Sequence, residues 1–171
     1  MYNVRMALNL VIDGYNLIGF RRGGLGDIEE ERRDLLEALI IYKRLKRARI
    51  TVVFDGPAIA YPGSHPAGIE VVFSAGRQAD AVIRDIVARK GGGATVITSD
   101  REIAGFAKAR GAVVLGSDEF SALLDHALYE DMKGVVAEAE DTSGPDKKGP
   151  SRRLPKDERK KQGRIRKLKG R

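Results

Sequence analysis

The run Leu8–Ile12 ends abruptly at Asp13-Gly14-Tyr15-Asn16, and this junction constrains everything downstream. Leu, Val and Ile bounded by turn residues suit a strand buried on both faces of a parallel sheet. A carboxylate at the end of such a strand is costly unless the following turn hydrogen-bonds it or it faces a cation. Gly14 lets the backbone bend sharply, and Asn16 adds a second oxygen donor three residues on. The pattern recurs. Ile50–Phe54 runs into Asp55-Gly56, and Ala94–Thr98 runs into Ser99-Asp100. Ile69–Phe73 leads through Ser74-Ala75-Gly76-Arg77-Gln78 to a helix opening near Ala79, with Asp80 in its first turn. Ala112–Leu115 is a fifth strand.

Helical patterns separate these strands. Asp27 is a good N-cap, followed by Glu29, Glu30 and Glu31, then by Leu35, Leu36, Leu39, Ile40 and Tyr42 at helical spacing. Lys43, Arg44, Lys46 and Arg47 close that helix. Val82, Ile83, Ile86 and Val87 share one face of the next, which Gly91-Gly92-Gly93 terminates. Ile103, Phe106 and Ala107 mark a short helix, and Ser117 is expected to cap a last one. Leu17–Gly26, with Arg21-Arg22-Gly23-Gly24, reads as a mobile basic loop, and Pro57–Gly68 as a proline-rich loop. Strands alternating with helices predict an α/β fold, with a mainly parallel five-stranded sheet of order 3-2-1-4-5 and helices on both faces.

In such sheets ligands sit outside the carboxyl ends of the strands, where the strand order reverses. Asp13, Asp55, Asp80 and Asp100 all fall at that edge, and Asp13 and Asp100 flank the switch point. Taken singly, each has a bland alternative: a satisfied strand-end turn, or for Asp80 a first-turn acid paired with Arg84 at i,i+4. Together, four carboxylates repel and require a proton or a cation. The chain has no cysteine and only two histidines, His65 and His126, which excludes thiolate chemistry and Cys- or His-rich metal sites. A hard divalent ion with oxygen ligands, Mg²⁺ or Mn²⁺, is the natural partner, with Arg21, Arg22 and Arg77 placed to receive substrate phosphates. Tyr15 stands either to stack on a base or to pack against the first helix.

The net charge of +7 is a property of the tail. Residues 142–171 carry thirteen Lys/Arg against three Asp/Glu, leaving eighteen against twenty-one in residues 1–141. Three prolines, four glycines and few large apolar residues predict a basic, disordered tail over 142–171 behind one domain over 1–141. Such an arm binds polyanions by counterion release, with Arg152, Arg153, Lys160 and Lys161 as candidate contacts. Lacking aromatics, it cannot read sequence by stacking. The N-terminus shows no cleavable signal pattern, and no apolar run approaches the roughly 18–20 residues that span a bilayer. A soluble cytoplasmic protein without membrane partners is expected; oligomeric state is not legible.

The ordered set VIDGYNLIG (Val11–Gly19), VVFDG (Val52–Gly56), VVFSAGRQAD (Val71–Asp80) and VITSD (Val96–Asp100) resembles the YacP-like NYN domain proteins, relatives of PIN-domain nucleases. The resemblance covers about Leu8–Leu128. It implies a Rossmannoid PIN-like fold and a metal-dependent endoribonuclease acting on RNA, mRNA or rRNA, with the ribosome as a partner of some members. It implies metal-binding, catalytic roles for Asp13, Asp80 and Asp100, with Asn16 as a polar support or ligand. Asp55 and Glu102 match further acidic positions. There are two departures: Gln78 stands where the family often has Thr, and Arg84 where it often has Glu, which turns Arg84 from metal toward substrate phosphate. The alternative from another class is a non-catalytic RNA- or ribosome-binding protein that relies on the tail. A nucleotide-binding or phosphatase reading is disfavoured, because no Walker A or GxGxxG sequence follows the first strand.

Overall fold

The computed structural model describes residues 7–23, 26–57, 68–134 and 155–170. Its frame is a parallel sheet of β1 (Leu8–Asp13), β2 (Ala48–Phe54), β3 (Ile69–Phe73), β4 (Ala94–Ile97) and β5 (Val113–Leu115). The order is β3-β2-β1-β4-β5, as the sequence predicts, with every pair parallel. Central β1 is apolar to both sides because both sides are covered. Leu8, Leu10 and Ile12 face one apolar cluster with α1 (Gly14–Arg22), α2 (Ile28–Lys46) and α5 (Ser117–Met132). Val11 and Val53 face a second cluster with α3 (Ala79–Lys90) and α4 (Arg101–Ala109). Among the described residues no helix is long and apolar enough to cross a membrane.

Local chemistry sets the boundaries. Asp27 caps α2, accepting from the Glu29 and Glu30 amides at 3.0 and 3.2 Å. Gly91–Gly93 adds a single 3₁₀ turn after α3. Two expectations about the helices change. The segment after Asn16 is not a loop: α1 starts directly at Gly14 and buries Leu17 and Ile18, and Gly23 (φ 72°) ends it. Ser117 does not cap α5; Gly116 holds that position, and the Glu119 carboxylate accepts from its amide at 2.8 Å.

The tail differs most from expectation. Residues 156–169 form α6 (Lys156–Lys169), docked beside edge strand β5. Leu168 is wholly buried, and Ile165 packs against the same cluster. The buried Tyr42 hydroxyl, its ionisation pushed up by burial, donates to the Leu168 carbonyl at 3.2 Å. Arg164 donates to Thr95 Oγ1 at 3.0 Å and to the Gly92 and Gly93 carbonyls. Lys161 pairs with Glu119 at 2.9 Å, and Lys160 Nζ donates to the Gly111 carbonyl. A helix over β5 shields a sheet edge that would otherwise offer unpaired backbone groups. Arg152 and Arg153 lie outside the described residues.

Truncating a wholly buried Leu removes transfer energy and leaves a cavity. Leu168→Ala is expected to lower unfolding free energy in urea by about 2–4 kcal/mol; wild-type stability would show that α6 does not close this core.

Candidate metal and nucleic-acid site

Asp13 is the last residue of β1 and immediately precedes α1, with no intervening loop. That junction requires Gly14: a Cβ there would drive into the Phe54 ring and come within 3.0 Å of the Val53 carbonyl. Asp13 Oδ2 accepts from the Thr98 hydroxyl at 3.3 Å. Its pKa is pushed up to about 6, chiefly by burial. The Asn16 amide and the Thr98 hydroxyl pull it down, and the charges of Asp80 and Asp100 push it further up. Both carboxylates are therefore felt at Asp13 across the switch point. Asp80, half-buried in the first turn of α3, has no hydrogen bond or ion pair among the described residues. Asp100 caps α4, its Oδ1 accepting from the Glu102 and Ile103 amides at 2.8 and 3.0 Å. Thr98, which sequence reasoning passed over, ties the two together: its Oγ1 also accepts from the Asp100 amide at 3.1 Å.

The other expected residues divide differently. Asn16 Oδ1, the atom that would ligate, is committed to two donors, the Ser99 amide at 2.9 Å and the Ser117 hydroxyl at 2.6 Å. It braces α1 against the β4–α4 turn and α5. Asp55 is exposed and structural in its bonding. Its Oδ1 accepts from Ser74 Oγ at 2.8 Å and from the Ala79 amide at 3.2 Å, in effect capping α3 where Gln78 does not. Glu102 pairs with Arg84 at 3.4 Å, and Arg84 also lies over the Phe106 ring, so the alternative in which Asp80 merely pairs with Arg84 is not what the structure shows.

The expected phosphate-binding arginines also have partners within the fold. Arg21 pairs with Asp125 at 2.8 Å, Arg22 with Asp34 at 2.7 Å and Arg77 with Asp85 at 2.8 Å. Tyr15 packs on Phe54, 5.1 Å between ring centroids, and its hydroxyl accepts from the buried Arg32 at 3.1 Å. It is thus part of an aromatic cluster. No periodicity marks Arg32, which lies on α2 among acidic neighbours and is buried with its guanidinium over Phe73.

An all-oxygen set built on Asp13, Asp80 and Asp100 suits a hard divalent ion in donor chemistry. Among the described residues, no three His, Asp or Glu side chains already stand at metal-chelating positions. The residues fit the class of ion, and side-chain closure would have to complete the shell.

A model of the YacP-like NYN domain matches residues 10–167. The chain belongs to the YacP-like NYN domain family. The match reaches well into α6, beyond the Leu128 limit of the motif resemblance. The NYN domain is a PIN-like nuclease domain, and nucleases of this class generally use divalent metals. The fold is similar to that of Rae1 (YacP) from Bacillus subtilis, with TM-score 0.62 and 24% identity over 72% of this chain and 77% of that one. A point mutant of that same protein matches with TM-score 0.59 and 23% identity over 73% of this chain and 79% of that one. No curated protein matches the chain.

Burial of Asp13 has a thermodynamic consequence. A carboxyl raised from 3.8 to about 6 holds its proton in the fold where the unfolded chain has lost it. Native stability therefore falls as pH rises through that window. In EDTA, Asp13→Asn is expected to match wild type near pH 4 and to exceed it at pH 7 by about 1–3 kcal/mol. A stability difference that does not change with pH would remove the buried-carboxylate account.

Proposed function

We propose that this YacP-like NYN domain is a metal-dependent endoribonuclease that cleaves RNA phosphodiester bonds, with Mg²⁺ or Mn²⁺ as cofactor. The observation that carries the reading is Asp13: a carboxylate kept in a costly half-buried position at the switch point, with Asp80 and Asp100 acting on it. A carboxyl so placed must take up a proton or face a cation, and a divalent ion is the partner this reading assigns to it. Asp13, Asp80 and Asp100 would hold the ion. When bound, it supplies positive charge to the scissile phosphate and acidifies a water for attack. Thr98 orients Asp13 and the start of α4 together, and Asn16 holds the neighbouring turns in place. Asp55 and Glu102 act at a distance, through the α3 cap and the Arg84 pair. The RNA is mRNA or rRNA in the cytoplasm, with ribosome-associated mRNA as the favoured target of this reading.

A second reading, a non-catalytic RNA-binding protein, draws support from Arg84. It stands where the family resemblance implies a Glu, and it is paired with Glu102. Cleavage assays separate the two. Asp13→Asn and Asp100→Asn are each expected to reduce cleavage of unstructured RNA about a hundredfold or more, as is EDTA on wild type. Asn caps a helix as well as Asp does, so Asp100→Asn keeps α4 intact. Full cleavage by either folded variant, or in excess EDTA, sinks the nuclease mechanism.

A further inference from the structure

The site carboxylates gather at one edge of the sheet; at the opposite edge Glu130 and Asp131 of α5 are paired by Lys46 and Arg44, and further cations lie there without such partners. There α3 ends near Lys90 and α4 near Lys108, both exposed. Cations in a last turn are what the helix dipole favours, and alone they need no further explanation. The last helix does. α6 brings eight Lys and Arg, with only Asp157 and Glu158 in its first turn, against this already basic edge. It docks on carbonyls exposed there, those of Gly92, Gly93 and Gly111. Helix geometry separates its cations into two sets. Lys160, Lys161 and Arg164 turn inward with Ile165 and Leu168. Arg159 and Arg166 fall on the far side and Lys156, Lys167 and Lys169 on its flanks, all exposed, and their side chains have no hydrogen bond or ion pair among the described residues. Gathering like charges on one edge is unfavourable in itself. Arg21, Arg22, Arg77 and Arg84, by contrast, each face a carboxylate.

We propose that Lys156, Arg159, Arg166 and Lys167 of α6, with Lys90 and Lys108 beside them, form an RNA-backbone-binding surface on the sheet edge opposite the carboxylate site. Only the choice of RNA as the polyanion rests on the nuclease reading. A membrane surface fits poorly. A helix lying in an interface needs a free apolar face, and Ile165 and Leu168 are already spent on the protein core. The surface has no aromatic residue to stack a base, so it holds phosphates without regard to sequence. Lys156 to Lys167 rises about 16 Å along the helix axis, enough to follow several nucleotides. A long or structured RNA can engage both edges of the domain, whereas a short oligomer can engage only one.

Binding of a labelled oligouridylate, read in EDTA so that no cleavage intervenes, compares wild type with Lys156→Gln/Arg159→Gln/Arg166→Gln/Lys167→Gln. Losing four phosphate contacts is expected to flatten the slope of log K against log salt by about 3, so that wild type loses about fifty-fold more affinity than the variant between about 50 and 200 mM salt. Melting temperature is expected to stay unchanged, since these side chains do not dock α6. If that variant does not fold, Lys90→Gln/Lys108→Gln is expected to give about half the change in slope. Equal slopes in variant and wild type overturn the proposal, as does a wild type that fails to bind the RNA. So does loss of phosphatidylserine-vesicle binding in a variant that keeps its RNA affinity. Because binding is read without cleavage, an inactive nuclease leaves this surface standing, and loss of this surface leaves the carboxylate mechanism intact.

Discussion

The passage from β1 to α1 without a loop is the constraint on which the site is built. Any side chain at position 14 would meet the Phe54 ring and the Val53 carbonyl, so the turn is tight only because Gly14 is there. With the helix starting at once, Asn16 lands within reach of the Ser99 amide and the Ser117 hydroxyl, and three separate segments are tied at one oxygen. Phe54 does similar work on the other side. Tyr15 packs on it at 5.1 Å and Phe73 at 5.9 Å between ring centroids, which aligns the ends of β1, β2 and β3. The carboxylates are positioned by this packing, before any ion is involved.

What could be read from the sequence, and what could not, follows the range of each interaction. The strands and their order were legible because burial on both faces writes itself as continuous apolar runs, and parallel pairing with crossovers admits few topologies. Asp13, Asp80 and Asp100 were legible as a group for the same reason: topology alone sends them to one edge. The helix after Asp13 was not, since Asp, Gly and Asn there carry the local signature of a turn, while burial of Leu17 and Ile18 depends on partners far along the chain. α6 was missed because only Ile165 and Leu168 are apolar, and its other side-chain contacts are made by Lys and Arg reaching carbonyls, a threonine hydroxyl and the Glu119 carboxylate. Composition cannot distinguish a cation that solvates a tail from one that docks it.

Bonding partners explain why residues of equal promise in the sequence ended in different roles. Asp55 and Asp100 both end a strand at the same edge, and both satisfy helix amides. Asp55 Oδ1 is taken by the hydroxyl of Ser74 and the start of α3, on the far side of β2 from the switch point. Asp100 lies beside Asp13, linked through Thr98. Arg84 and Glu102 likewise neutralise one another at 3.4 Å, so a substitution that would place a positive charge near the carboxylates is offset within one turn of the neighbouring helix.

The electrical polarity of the domain follows from its topology. When every strand is parallel, a helix that leads from one strand to its neighbour in sequence begins at the carboxyl edge and ends at the amino edge, so the dipoles of α3 and α4 point the same way, and α1 and α5 also begin at the carboxyl edge. Their amino ends lie beside Asp13, Asp80 and Asp100, which lowers the cost of keeping carboxylates there. The carboxyl ends of α3 and α4 favour cations at the other edge, where Arg89, Lys90 and Lys108 sit, while α5 ends in Glu130 and Asp131, which pair with Lys46 and Arg44. An acidic edge and a basic edge are thus one property of a parallel α/β sheet expressed twice. α6 reinforces that separation rather than cancelling it. Had the tail helix served only to cover β5, its outer face and flanks could have carried acids and neutralised the edge; that they carry Lys156, Arg159, Arg166 and Lys167 instead strengthens a field that already existed.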